Sequence, residues 1–209
     1  MKYHLLFEVL SHSIASILVF FTTIILSLYA MTYNQTFYDK YVLSPWRIAH
    51  EKKFYLMISS GFLHADIAHL IFNMMTFYFF AFKLEQQVGS FKFLIIYLGS
   101  MILADLTTII KFKDTPSYRS VGASGAISGV LFSIILFLPE MRVGVFFIPF
   151  GIPAPIFAVL YLAYCYYAAR NSQDNINHDA HLWGALGGVI LTIIVEPAVL
   201  SHFIHKIFS

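Results

Sequence analysis

Charge is scarce in this chain: Asp, Glu, Lys and Arg make up 11% of 209 residues, against 59% hydrophobic ones. Soluble domains carry roughly 25% charged residues, so a chain this apolar has too little polar surface for water. The bilayer is the solvent its composition implies. Cysteine is nearly absent. A single Cys165 excludes an intrachain disulfide, leaves the redox compartment unreadable, and reads as a small buried hydrophobe in an apolar run. A net charge of +2 without a basic cluster gives nucleic acid no footing. No His-Glu-x-x-His signature appears, so no metal or other cofactor is expected. Low-complexity linkers and clear internal repeats are also missing, and 1–209 reads as one domain.

What is present is apolar sequence in helix-length runs. A spanning helix needs about 20 mostly apolar residues. Six segments qualify or nearly do: about 14–31, 66–84, 91–110, 124–138, 153–169 and 180–199. They predict an all-α membrane protein, a bundle of six transmembrane helices. The first run exceeds the roughly 7–15 residues of a signal core, and the Ala30-Met31-Thr32-Tyr33 after it is a poor cleavage site. It is expected to be retained. The fourth and fifth runs are short, which suits helices buried by their neighbours. Between them 141–152 is apolar but broken by Gly144, Pro149 and Gly151, which predicts an extended or re-entrant connection covered by protein. The polar stretch 32–61, rich in Tyr and Trp, predicts a loop at the headgroup level.

Polar side chains inside such helices are expensive and usually mark a site. Ser124 heads one apolar segment in Val121-Gly122-Ala123-Ser124-Gly125-Ala126. His69 and Asn73 lie four apart and share a helix face. His181 heads the last segment in Asp179-Ala180-His181-Leu182-Trp183-Gly184. A hydroxyl, an imidazole and further hydrogen-bonding groups are the parts for acyl transfer by a serine nucleophile. Taken singly, each has a plainer reading. Ser124 suits an N-cap, His181 an interfacial histidine beside Asp179, and His69 and Asn73 interhelical hydrogen bonds worth about 1 kcal/mol. Gly125-x-x-x-Gly129 and Ala180-x-x-x-Gly184-x-x-x-Gly188 are small faces that let two helices approach closely. Pressed together, those helices would bring Ser124 and His181 within hydrogen-bond reach.

Three motifs make the chain resemble the rhomboid intramembrane serine proteases. They are Gly122-Ala123-Ser124-Gly125, His64-x-x-x-x-His69-x-x-x-Asn73 and Ala180-His181-x-x-Gly184. Trp46-Arg47 and Glu85-x-x-x-Gly89 fit as well. The resemblance implies Ser124 as nucleophile and His181 as general base, with no third carboxylate. It also implies oxyanion stabilisation by His69, Asn73 and the Ser124 backbone N–H. Gly122, Gly125 and Gly184 support the motifs. The implied substrates are single-span membrane proteins. The implied location is multi-pass, in the plasma (inner) membrane, with the site opening outward. One departure is Ser128, where many rhomboids carry an aromatic against the histidine. Phe132 or Trp183 is then expected to orient His181.

In that orientation eight Lys and Arg lie outside (Lys40, Arg47, Lys52, Lys53, Lys111, Lys113, Arg119, Arg170) and five inside (Lys2, Lys83, Lys92, Arg142, Lys206). This runs against the positive-inside tendency. His64 is expected to bond loop backbone, His178 to sit in a surface loop, Asp105 to find a buried hydrogen-bond partner, and Glu85 to pin the second loop. Two other functions compete. A catalytically inactive rhomboid-like adaptor would bind helices without cutting them. A metal-dependent membrane hydrolase or a carrier would use His64, His69, His178, His181 and Asp105, although a carrier usually shows inverted-repeat halves.

Overall fold

The computed structural model describes residues 13–144 and 150–208. Helix α1 is Ile14–Thr32, followed by three short helices, α2 (Gln35–Tyr41), α3 (Pro45–Glu51) and α4 (Leu56–Ser59), and a 3-10 turn, Ser60–Phe62. Helix α5 is Ile67–Phe112, α6 Ser124–Phe137, α7 Ala154–Asn171, α8 His178–Val195 and α9 Ala198–Phe208. A two-stranded antiparallel ladder joins β1 (Arg142–Val143) to β2 (Ile152–Pro153). Among the described residues three helices, α1, α5 and α8, are long and apolar enough to cross a membrane. Their outward faces are apolar. On α1 the exposed side chains Ile14, Leu18, Phe21 and Ile25 recur at helical spacing.

Helix α5 is 46 residues long but is two arms, 67–88 and 90–112, broken at Gly89 with φ 78°. That left-handed backbone suits glycine, which has no Cβ to clash. Glu85 holds the break. Its fully buried side chain accepts from Ser90 Oγ at 2.6 Å and from the backbone N–H groups of Ala15 and Ser16 at 2.9 and 2.6 Å. The first N–H groups of a helix lack intrahelical partners. Ser13, the residue preceding α1, makes no side-chain cap. Glu85 therefore pins the turn, as expected, and also caps α1 from 70 residues away.

The main core joins α1 and both arms of α5 to α6, and its closest backbone approach is the contact of the second α5 arm with α6 and α8. A Cβ built on Gly184 or Gly188 would strike the backbone of Gly125 or Gly129. One on Gly129 would strike Ser100 of the α5 arm, and one on Gly125 would lie 2.6 Å from Ala104 Cβ. The predicted small faces do meet. Within the seam Thr192 Oγ1 donates to Ser133 Oγ at 2.7 Å, joining α8 to α6. Helix α6 is buried from Gly125 through Leu136, as its short length suggested.

Three expectations need correction. The stretch 32–61 is helical over much of its length, with Asn34 and Ser44 capping α2 and α3. Helix α7 is not covered by its neighbours, since its only buried residues are Ala154, Cys165 and Ala168. The last span ends at Val195, not 199. Pro197 has no N–H to continue the ladder, and a separate α9 follows. Of the connection 141–152, the ends pair as β1 and β2, while Pro149 lies outside the described residues, as does Lys2.

Candidate active site

Ser124 is the first residue of α6 and His181 lies in the first turn of α8. Their helices touch at glycine, and this brings His181 Nε2 to 2.7 Å from Ser124 Oγ. The approach depends on two missing side chains. A Cβ at Gly184 would enter the Gly125 carbonyl, and one at Gly125 would lie 3.3 Å from the Ala180 carbonyl oxygen. No side chain caps the start of α6, so its first N–H groups can meet a developing negative charge beside the positive helix end.

The loop into Ser124 is fixed from two sides. Leu43 and Ser120 exchange backbone hydrogen bonds at 3.0 and 3.2 Å. Gly122 donates its N–H to Ser60 O at 3.1 Å. Gly122 has φ +121°, a backbone that L side chains rarely adopt. An added Cβ would also lie 2.7 Å from His69 Cε1. Glycine here lets the loop pass flat against the His69 ring.

His69 sits in the first turn of α5, where Asp66 accepts from its backbone N–H at 2.8 Å. Asn73 follows one turn later, buried, with Nδ2 donating to His69 O at 3.0 Å. Both line a cavity of about 470 Å³ with Ser124, His181, Gly122 and Asp105. A second, largely apolar cavity of about 420 Å³ reaches Ser124, Asn73 and His181 from the side of Phe157 and Tyr161. The hydroxyl and imidazole thus stand where two cavities meet. All four predicted polar residues are brought together.

The surroundings of His181 differ from expectation. Trp183 is exposed, and Phe132 packs on Tyr161. The ring against His181 is that of His178, edge-on with centroids 6.1 Å apart. His178 is therefore not a surface loop residue; it is buried as the first residue of α8. Its Nε2 faces both oxygens of Asp174 at 3.1 Å. Hydrogen bonding with Ser172, then with the Ile176 N–H and His178, holds the Asp174 carboxyl down at about 2. Ser128, in place of an aromatic, hydrogen-bonds Tyr161 at 2.7 Å and fastens α6 to α7.

Asn177 had no part in the sequence reading. Its side chain accepts from Ala180 N at 3.1 Å, capping the histidine helix, and donates to Thr108 Oγ1 at 2.7 Å on α5. An Asn three residues before Ala180 is an N-cap signal that local sequence did offer. Asp105 corrects an expectation: its Oδ2 is buried without a hydrogen-bond partner. Among the described residues His64, His69 and Asp105 do not join His178 and His181 in one ligand set.

His64 is fully buried and bonds the Ser27 hydroxyl of α1 through Nδ1 at 2.9 Å, not the loop backbone. Burial first, then the neighbouring His69, lowers its imidazole from an ordinary 6.5 to about 3. The folded state therefore prefers the neutral ring. That stability is complete above pH 6.5 and is lost progressively as pH falls towards 3. Thermal scans across this window should show the midpoint falling on acidification. The His64→Gln variant should show a shallower fall; an identical slope would mean other groups carry the acid limb.

A Rhomboid domain family model matches residues 51–198. YdcA of Bacillus subtilis, which bears the name of a rhomboid protease, is 37% identical over 141 residues, 66% of this chain and 65% of its own length. Rhomboid protease GluP of the same organism is 32% identical over 126 residues, covering 60% of this chain and 23% of GluP. A mitochondrial presenilin-associated rhomboid-like protein A from Danio rerio is 28% identical over 178 residues, 80% of this chain and 44% of that protein. The chain thus spans less than two thirds of the length of each of these relatives.

Proposed function

The chain belongs to the rhomboid family, and from that premise we propose that it is an intramembrane serine endopeptidase that cleaves single-span membrane proteins. The observation that carries this reading is the 2.7 Å contact between His181 Nε2 and Ser124 Oγ. His181 takes the Ser124 proton as Oγ attacks the scissile carbonyl. The tetrahedral oxyanion forms beside the Ser124 N–H, His69 and Asn73. His181 then delivers its proton to the leaving amine, and water, activated by the same imidazole, releases the acyl group. The sequence needs no metal and no cofactor. An adaptor that only binds helices has no use for a nucleophile and base at hydrogen-bond distance.

In this reading the chain is one domain with six spans: α1, the two arms of α5, α6, α7 and α8. It is a multi-pass protein of the plasma (inner) membrane, with the loops around Ser124 opening outward. The apolar cavity beside Tyr161 suits an unwinding substrate helix, and the larger cavity over His69 suits water. The test is to incubate the lipid-reconstituted protein with a purified single-span protein and map the product termini. New termini inside or at the edge of the apolar segment are expected. Intact substrate would reject the proposal.

The oxyanion assignment has its own test. His69→Ala and Asn73→Ala should each lower turnover by roughly 10–10³-fold, the scale of losing one preorganised donor. Covalent labelling of Ser124 should persist at a reduced rate. Wild-type turnover in both would reduce the two residues to packing.

A further inference from the structure

Beside His181 lie two groups that the proposed chemistry leaves unused. Cys165 of α7 and His178 of α8 are both buried. With His181 they offer one ligand atom each, all within 4.8 Å of one another. His178 Nε2 faces the Asp174 carboxylate at 3.1 Å. A carboxylate only accepts, so in the neutral ring Nε2 carries the proton and Nδ1 keeps its lone pair. That Nδ1 is buried and has no hydrogen-bond partner, a state that proteins avoid. A carboxylate on the far nitrogen is also how metal-binding histidines fix their tautomer and raise their basicity. In His181, Nε2 is turned to Ser124, and Nδ1 is the nitrogen left to bind.

We propose that Cys165, His178 and His181 form an inhibitory zinc site built onto the dyad. One thiolate and two imidazoles are ligands that tetrahedral Zn²⁺ favours. Zinc bonds of about 2.0–2.3 Å put ligand atoms roughly 3.3–3.6 Å apart in a tetrahedron. Closing the set therefore draws α7 towards α8, and α7 is the most thinly packed of the apolar helices around the site. The cavity of about 570 Å³ lined by His178, Asp174 and Ala168 provides an approach from the loop side.

Binding switches off the base by tautomer. In the active form His181 carries its proton on Nδ1, and the Nε2 lone pair accepts from Ser124. Zinc on Nδ1 moves that proton to Nε2, which then only donates. Cys165 loses its thiol proton on binding, so one proton is released per ion. The catalytic part of this inference rests on His181 being the base; the ligand set does not.

Cobalt(II) and zinc, added to the purified, reconstituted protein, separate the two. One equivalent of Co²⁺ should give tetrahedral d–d bands and a thiolate-to-cobalt charge-transfer band in wild type and in Ser124→Ala. The charge-transfer band should vanish in Cys165→Ala. Saturating Zn²⁺ should lower wild-type cleavage at least tenfold, about 1.4 kcal/mol in barrier, and a chelator should restore it. Cys165→Ala should keep its metal-free rate and resist zinc. If that variant fails to fold, Cys165→Ser takes its place in both arms. Equal zinc inhibition of wild type and variant, a cobalt spectrum unchanged by the substitution, or zinc binding without inhibition would each overturn the proposal. A protein that cleaves nothing even without metal would instead refute the proteolytic reading, with the cobalt spectra still deciding the site.

Discussion

Ser124→Ala should abolish cleavage of a single-span substrate while leaving the thermal midpoint unchanged. The hydroxyl is the only group removed, and its recorded partner is His181 Nε2 at 2.7 Å. In soluble serine proteases, loss of the nucleophile or the histidine alone lowers turnover on the order of 10⁶-fold, about as much as losing both. His181→Ala should therefore match Ser124→Ala, and the double variant should be no worse than either. The helix start tolerates the change, because α6 has no side-chain cap to lose. Cleavage by purified Ser124→Ala, free of contaminating protease, would remove Ser124 from the chemistry.

The second large effect is structural. Gly184→Val should lose activity and stability together. A Cβ at this position would enter the Gly125 carbonyl, and backbone cannot swing aside as a side chain can. Overpacking of a close-packed contact costs about 1–3 kcal/mol. A displacement of about 1 Å at the reacting groups costs on the order of 10²-fold in rate. Gly125 is next to Ser124, so the strain falls on the proposed nucleophile. Ile194→Val, on an exposed position of the same helix, should change neither property. Thermal shift and cleavage, measured in detergent and in lipid, separate these outcomes. Wild-type values for Gly184→Val would mean that the two helices do not meet through this face.

The contact between α6 and α8 was legible because its chemistry is local. Small residues every fourth position declare a helix face that seeks another backbone, and Ser124 and His181 stand at the heads of two such faces. Polar residues in apolar runs gave His69 and Asn73 for the same reason. Other features depended on partners distant in the chain. That Glu85 caps α1 is invisible until the two helix ends are adjacent. His178 looked like a loop residue because nothing near it in sequence reveals that Tyr164 of α7 packs on its ring. Ser128 read as a missing aromatic, whereas Tyr161 of α7 fills the space beside it and takes up its hydroxyl. The last helix was drawn too long because hydropathy stays high across Pro197, although proline itself marked the stop.

Whether His181 makes Ser124 nucleophilic is decided by treating the folded, metal-free protein with a serine-directed phosphonate or isocoumarin and locating the adduct by peptide mass spectrometry. One covalent adduct per chain is expected, on Ser124, formed by wild type and absent from His181→Ala at the same thermal stability. An unlabelled wild-type protein, an adduct on another residue, or equal labelling without His181 would contradict it.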